Sequence, residues 1–198
     1  CSGLHPSSCA AVKPRKTDRA CRCATRGGES TLGRWSADMV KSTGKADVGI
    51  YNPGGLRADL VEGPLLRGAL YKVFPFANDV VRFEMKGSDL VGLLLKNARA
   101  TVDGNHPVMQ LAGVRVTWRM RAGAPELVEV RVGEELLDPD STYTAATNSF
   151  VADRWSYNLG FEPKNLVNLD FTVFEAAMKM AGEGPIVPPP NPRMVRMD

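Results

Sequence analysis

The sequence predicts an α+β fold: mixed β-sheets with about three helices. Three observations predict it. Short apolar or alternating runs read as strands, and several lie close enough along the chain to pair as hairpins. Segments with a helical apolar period stand among them without a regular βαβ rhythm, which argues against a doubly wound sheet. The chain has 198 residues, 43% apolar and 24% charged, enough to bury a sizeable core without staples.

Residues 1–25 show neither period and are rich in Ser, Ala, Cys and basic side chains, so they read as a linker or disordered basic arm. The domain proper is expected over 26–198. Ser30 or Thr31 caps a helix to about Lys41, with Leu32, Trp35, Ser36 and Met39 on one face, and Gly44 stops it. Residues 48–51 form an apolar strand that enters Asn52-Pro53-Gly54-Gly55, a turn by composition. A weak helical turn follows at 65–71, then a half-buried strand at 80–85. Gly87-Ser88 introduces a second helix over about 89–100. Residues 114–118 and 127–132 alternate as strands, and Gly133-Glu134 turns the second into 135–137. Residues 143–147 give another strand. Asp170 caps a third helix to about Ala181, and the proline-rich end is extended and closes with an edge strand.

Scarce residues narrow the chemistry. The two histidines are His5 and His106, and all four cysteines fall within the first 23 residues. A two-metal hydrolytic centre needs several imidazoles and carboxylates converging on the ions, which this chain does not supply. Any metal and nucleophile are therefore expected from elsewhere. The cysteines read either as incidental thiols on a tail or as a small disulfide or metal knot, and Cys1 also suits a processed lipoprotein start. No window approaches eighteen apolar residues, so no membrane span is expected, and the start shows no basic-then-apolar signal peptide, which is expected to be either absent or already removed. The net charge of +3 belongs to the arm, because residues 29–198 carry 19 basic and 21 acidic side chains. That leaves the body without a basic stripe for nucleic-acid backbone, and no nucleic-acid partner is expected.

Three segments carry chemical signals. Asn52-Pro53-Gly54-Gly55-Leu56-Arg57 follows a strand, with glycines that admit a ligand close to backbone and an Arg fork suited to phosphate. An ordinary Gly-rich turn with a surface Arg has the same composition. In Phe74-Pro75-Phe76-Ala77-Asn78, Phe74 suits the core, while Phe76 suits a loop where it can stack on a flat ligand beside Asn78. Thr147-Asn148-Ser149-Phe150 ends a strand and offers Phe150 as an opposite wall. By contrast, Gly104-Asn105-His106-Pro107 looks like a metallophosphatase fragment but has no partner motifs.

In this order the three segments resemble the C-terminal domain of the 5′-nucleotidase family, which includes UDP-sugar hydrolases and 2′,3′-cyclic nucleotide phosphodiesterases. Residues 29–33, Ala37-Asp38 and Leu111-Ala112-Gly113-Val114-Arg115 extend the likeness from about Arg26 to Arg196. The resemblance implies a nucleotide- or nucleoside-binding, specificity-giving domain. Phe76 and Phe150 would clamp the base, and Asn52 and Asn78 would bond its edge. Arg57 and Arg26 would grip phosphate, and Gly54, Gly55 and Gly113 would allow close backbone approach. It also implies that no cofactor is bound by this chain. Two divalent ions and the catalytic groups would sit on a separate N-terminal metallophosphatase domain, in a periplasmic or extracellular protein. The second loop departs from the family pattern. Ser156 stands where the family has an Asp that holds ribose hydroxyls, and Arg154 and Trp155 replace two glycines. The alternative is a non-catalytic ligand- or protein-binding module derived from that domain.

Overall fold

The computed structural model describes residues 16–17, 28–187 and 189–197. Arg26, His5 and the four cysteines lie outside the described residues, and so do the expectations placed on them. Within the stretch expected to be an arm, β1 (Lys16–Thr17) pairs antiparallel with β3 (Gly63–Pro64).

The first helix, α1 (Thr31–Gly44), is capped by Ser30, whose hydroxyl accepts the Gly33 N–H. Gly44 is not what ends it. Lys45 adopts the left-handed conformation at φ 48°, and its N–H caps the Lys41 and Ser42 carbonyls. Strand β2 (Val48–Tyr51) is buried throughout and leads into a 3-10 turn over Pro53–Gly55. Next come α2 (Arg67–Val73), β4 (Asp79–Lys86) and α3 (Gly87–Asp103). Strand β5 (Gln110–Ala112) then leads to the hairpin of β6 (Val114–Arg121) and β7 (Ala124–Val132), followed by β8 (Glu135–Leu136). After β9 (Thr142–Asn148) stand two short helices, α4 (Ser149–Asp153) and α5 (Trp155–Asn158). The chain closes with β10 (Lys164–Thr172), α6 (Val173–Glu183) and β11 (Met194–Arg196).

The α+β expectation holds, but six helices form among the described residues instead of about three. The extra ones are two turns or less, too short to show a period. Strand β10 was not expected. It is an edge strand interrupted by register shifts, and the left-handed residues Asn165 and Asp170 break its alternation. Asp170 therefore sits in the strand and does not cap a helix. The cap of α6 is Thr172, in a reciprocal capping box with Glu175.

A five-stranded sheet, ordered β10-β4-β9-β2-β5, is the centre of the molecule. Helices α1, α2 and α6 cover one face, where Leu32, Met39, Tyr51, Leu70, Phe74 and Ala177 share a core. Helix α3 and the second sheet, ordered β11-β6-β7-β8, enclose the other core around Ile50, Phe83, Leu93, Leu94, Val116 and Trp118. Burial of this kind is the dominant stabilising contribution, about 25 cal/mol per Å² of apolar surface.

The proline-rich C-terminal segment is strapped onto α1 by polar groups. Arg34 donates to the Pro189 and Pro190 carbonyls. Glu29, with a side chain 5% exposed, accepts the Arg193 and Met194 N–H groups, and Arg193 pairs with Asp38 at 3.0 Å. This strap delivers β11 parallel to β6.

Candidate functional site

Strand pairing brings three distant segments together. Strand β9 runs parallel to β2 and antiparallel to β4. The ends of β2 and β9 and the start of β4 therefore lie at the same edge of the sheet. Asn52 leaves β2 there, Phe76 and Asn78 precede β4 there, and Phe150 follows β9 in α4. The Asp79 N–H donates to Ser149 Oγ at 3.2 Å, which ties the Phe76 loop to α4. A cleft of about 290 Å³ opens between them, lined by Asn52, Gly54, Gly55, Phe76, Asn78 and Phe150.

The two phenylalanines that the sequence separates by role are separated in space. Phe74 is 1% exposed and packs near Trp35 and edge-on to Tyr51. Phe76 is 46% exposed and Phe150 38%. Leaving large apolar rings half in water forgoes part of their burial energy, so a cleft walled by two of them is suited to a flat apolar surface.

The carboxamides are oriented by a chain of bonds. Asn148 caps α4, its Oδ1 accepting the Val151 N–H at 3.0 Å. Its Nδ2 is therefore the end that meets Asn52, donating to Asn52 Oδ1 at 2.8 Å. With Oδ1 used, Asn52 has its Nδ2 to offer as a donor to the cleft. The Asn78 carboxamide has no protein partner among the described residues, while its backbone carbonyl accepts from Val173. Asn148 is the residue that sequence reasoning did not assign. A polar residue between a strand end and a helix start is an N-cap signal, and that signal was available.

The glycines divide by cause. A Cβ on Gly55 would lie 2.9 Å from Tyr51 Oη and 3.2 Å from Asn52 Oδ1, so packing alone demands glycine there. A Cβ on Gly54 would meet only Asn52 Nδ2 at 3.6 Å, an ordinary contact, and its φ is not positive. Neither sterics nor backbone conformation requires glycine at 54, and its surface toward the cleft stays open. Gly113 is away from the cleft lining. It turns β5 into β6 at φ +76°, with the Asp47 carbonyl 2.0 Å from where a Cβ would stand, so it serves the fold.

Two arginines, neither of them among the six lining residues, stack on the rings of the walls. The Arg57 guanidinium lies 5.9 Å from the Phe76 ring centre, and the Arg154 guanidinium 5.0 Å from that of Phe150. No carboxylate among the described residues pairs with either. Ser156 lies in α5, exposed and outside the lining. Burial pushes the Tyr51 phenol above its ordinary range, so it stays neutral under Gly55. His106 packs edge-on to Tyr157, 6.3 Å between ring centres. Among the described residues no group of three or more His, Cys, Asp or Glu converges as metal ligands would, so the residues present do not fit a metal centre. No helix is long and apolar enough to cross a membrane among them either.

Comparison with known proteins places this architecture. The model of the family described as 5′-nucleotidase, C-terminal domain, matches residues 10–157. The chain is 35% identical over 126 residues to Endonuclease YhcR of Bacillus subtilis, covering 63% of this chain and 10% of that protein. It is 35% identical over 117 residues to Protein UshA of Salmonella pullorum, covering 59% of this chain and 20% of that one. The chain thus spans a fifth or less of the length of these two curated relatives. In fold it is similar to the 5′-nucleotidase precursor of Thermus thermophilus, with a TM-score of 0.79 and 24% identity, covering 96% of this chain and 40% of that one. The NAD nucleotidase NadN of Haemophilus influenzae gives 0.70 at 21% identity, with 86% and 34% covered. The family match takes in all three segments that build the cleft, and the chain belongs to the 5′-nucleotidase C-terminal domain family.

Proposed function

We propose that the cleft holds a nucleotide, and that this chain is the substrate-binding, specificity-giving part of a 5′-nucleotidase-type phosphohydrolase converting a nucleoside monophosphate to nucleoside and phosphate. The observation that carries the reading is the convergence of two half-exposed rings and two carboxamides on one cleft, with an arginine stacked on one of the rings. The base stacks against Phe76 and Phe150, a contact worth ~1–3 kcal/mol per base. Asn52 Nδ2 donates to the base edge, and Asn78, with both donor and acceptor free, completes it. Arg57 presents a planar fork to the phosphate.

The two divalent ions and the activated nucleophile belong, in this proposal, to an N-terminal metallophosphatase domain, and the chain's described residues bind and orient. A periplasmic or extracellular location is part of the same proposal and rests on the family resemblance. Two measurements test it. Calorimetric titration of Arg57→Ala should bring AMP affinity down to that of adenosine, about a tenfold loss or more. An unchanged AMP affinity contradicts the phosphate role. The isolated chain with added divalent metal should release no phosphate from AMP, and sustained turnover contradicts the division of labour.

A further inference from the structure

The wall that Phe150 forms rests on very little helix. Helices α4 and α5 have five and four residues, too short to hold themselves in water, and no side chain caps the start of α5. Their placement depends on what ties them to the rest of the molecule. One tie comes from α3, a 17-residue helix whose Leu90, Leu93 and Leu94 are fully buried. The Trp155 carbonyl of α5 is taken by the Leu159 and Gly160 N–H groups. The last two carbonyls of α5, those of Tyr157 and Asn158, are met by Lys96 of α3. Its Nζ donates to both, to Asn158 at 3.5 Å, and lies 5.8 Å from the Tyr157 ring centre. A cation suits this place, because the carbonyls at a helix end lack intrahelical donors. No carboxylate among the described residues pairs with Lys96, and partial burial holds its ammonium below the ordinary lysine range.

From α5 the bonds run on to the wall. Asn158, 4% exposed, donates its N–H to the Arg154 carbonyl at 2.9 Å and its Nδ2 to the Val151 carbonyl at 3.4 Å. The Arg154 N–H donates to the Phe150 carbonyl at 3.3 Å. Three hydrogen bonds in series thus join Lys96 to the backbone of Phe150, although Lys96 does not line the cleft. We infer that Lys96 is a positioning residue for the cleft: it anchors the end of α5 on α3 and, through α4, holds the Phe150 ring where a base stacks on it. The inference rests on the nucleotide reading above and adds to it a residue that acts only through Phe150. A half-exposed ring is little constrained by packing of its own, so its precision comes from the backbone that carries it.

Titration of AMP into the 198-residue chain tests this, with Lys96→Met and Lys96→Arg beside the wild type, and with Lys96→Met repeated on the Phe150→Ala background. Lys96→Met keeps the apolar stem and removes the ammonium. It should weaken AMP binding about threefold to tenfold with the thermal melt little changed, and Lys96→Arg should restore most of the loss. On the Phe150→Ala background Lys96→Met should add nothing, since the ring it holds is gone. Amide exchange in Lys96→Met should quicken over residues 150–158 and stay at the wild-type rate over β2 and β4. An AMP affinity indifferent to Lys96→Met, an equal loss on both backgrounds, or unchanged exchange over 150–158 overturns the inference. If Lys96→Met does not fold, Lys96→Gln is measured in its place against the same outcomes. A wild type that binds AMP beside an indifferent variant overturns this inference alone, whereas a wild type that binds no AMP overturns the nucleotide reading and this inference with it.

Discussion

Gly54 and Gly55 are neighbours with opposite reasons to be glycine, and that contrast can be measured. Gly55→Ala forces a methyl group against the buried Tyr51 ring and the Asn52 carboxamide. It should cost about 1–2 kcal/mol in urea unfolding. Gly54→Ala meets nothing tighter than 3.6 Å within the protein, so stability should stay within about 0.5 kcal/mol. If a ligand lies against that backbone, the same methyl group should weaken nucleotide binding. Equal stability losses in the two variants would contradict this division. At this scale much of the site was legible before any coordinates. The segments holding Asn52, Phe76, Asn78 and Phe150 stand out by composition, and the split between a core Phe74 and a loop Phe76 follows from the residues around each. What was not legible was bonding. The α4 cap of Asn148 follows a local pattern, but that its other end meets Asn52 depends on a parallel strand pair, and no local pattern announces that bond. Gly113 was expected at the ligand and serves a strand junction, because a sequence does not distinguish close approach to a ligand from close approach to another strand.

Among the elements, the strap that carries β11 to β6 has the clearest physical consequence. Glu29 accepts two backbone N–H groups and lies beside Arg34, almost without exposure. Removing the carboxylate in Glu29→Ala strands those donors and should cost about 2–3 kcal/mol, with faster amide exchange over residues 193–196. Desolvation raises the Glu29 and Asp38 carboxyls above the usual carboxylate range, against the pull of Arg193 and Arg34. A folded-state pKa above the unfolded one means that the folded state takes up the proton first, so the contribution of these groups grows as pH falls. Wild type should therefore gain stability relative to Glu29→Gln between neutral pH and the ordinary carboxylate range. Glu126, Asp138 and Glu175 work the other way, since hydrogen bonds from Arg119, Ser141 and Thr172 hold them low. Their stabilisation is lost only as pH falls through those depressed values. Urea melts at two pH values on both proteins check the sign, and a wild-type advantage that shrinks on acidification contradicts it. The sequence anticipated the long helices and the hairpin because their periods are regular. It passed over β10 because two register shifts break the alternation that marks a strand.

At the scale of the whole molecule, function follows from where the sheet ends. Strand β9 lies between β2 and β4, parallel to one and antiparallel to the other, and this mixed pairing gathers loops about 25 and 70 residues apart at one edge. Neighbouring strand directions are a property of the complete topology, which is why the walls could be named from sequence but not placed. Helices pack on both faces of the sheet that carries this edge, and fixed placement of two rings is what an aromatic cleft requires. In the proposed enzyme the described residues supply the binding surface, and the bond-breaking groups approach it from another domain. The most direct measurement is calorimetric titration of AMP into the wild type and into the Phe76→Ala/Phe150→Ala double variant, with folding of both verified by thermal melts. The account predicts that the double variant keeps its fold and loses AMP affinity by about tenfold to a hundredfold. An AMP affinity that survives the loss of both rings would contradict it.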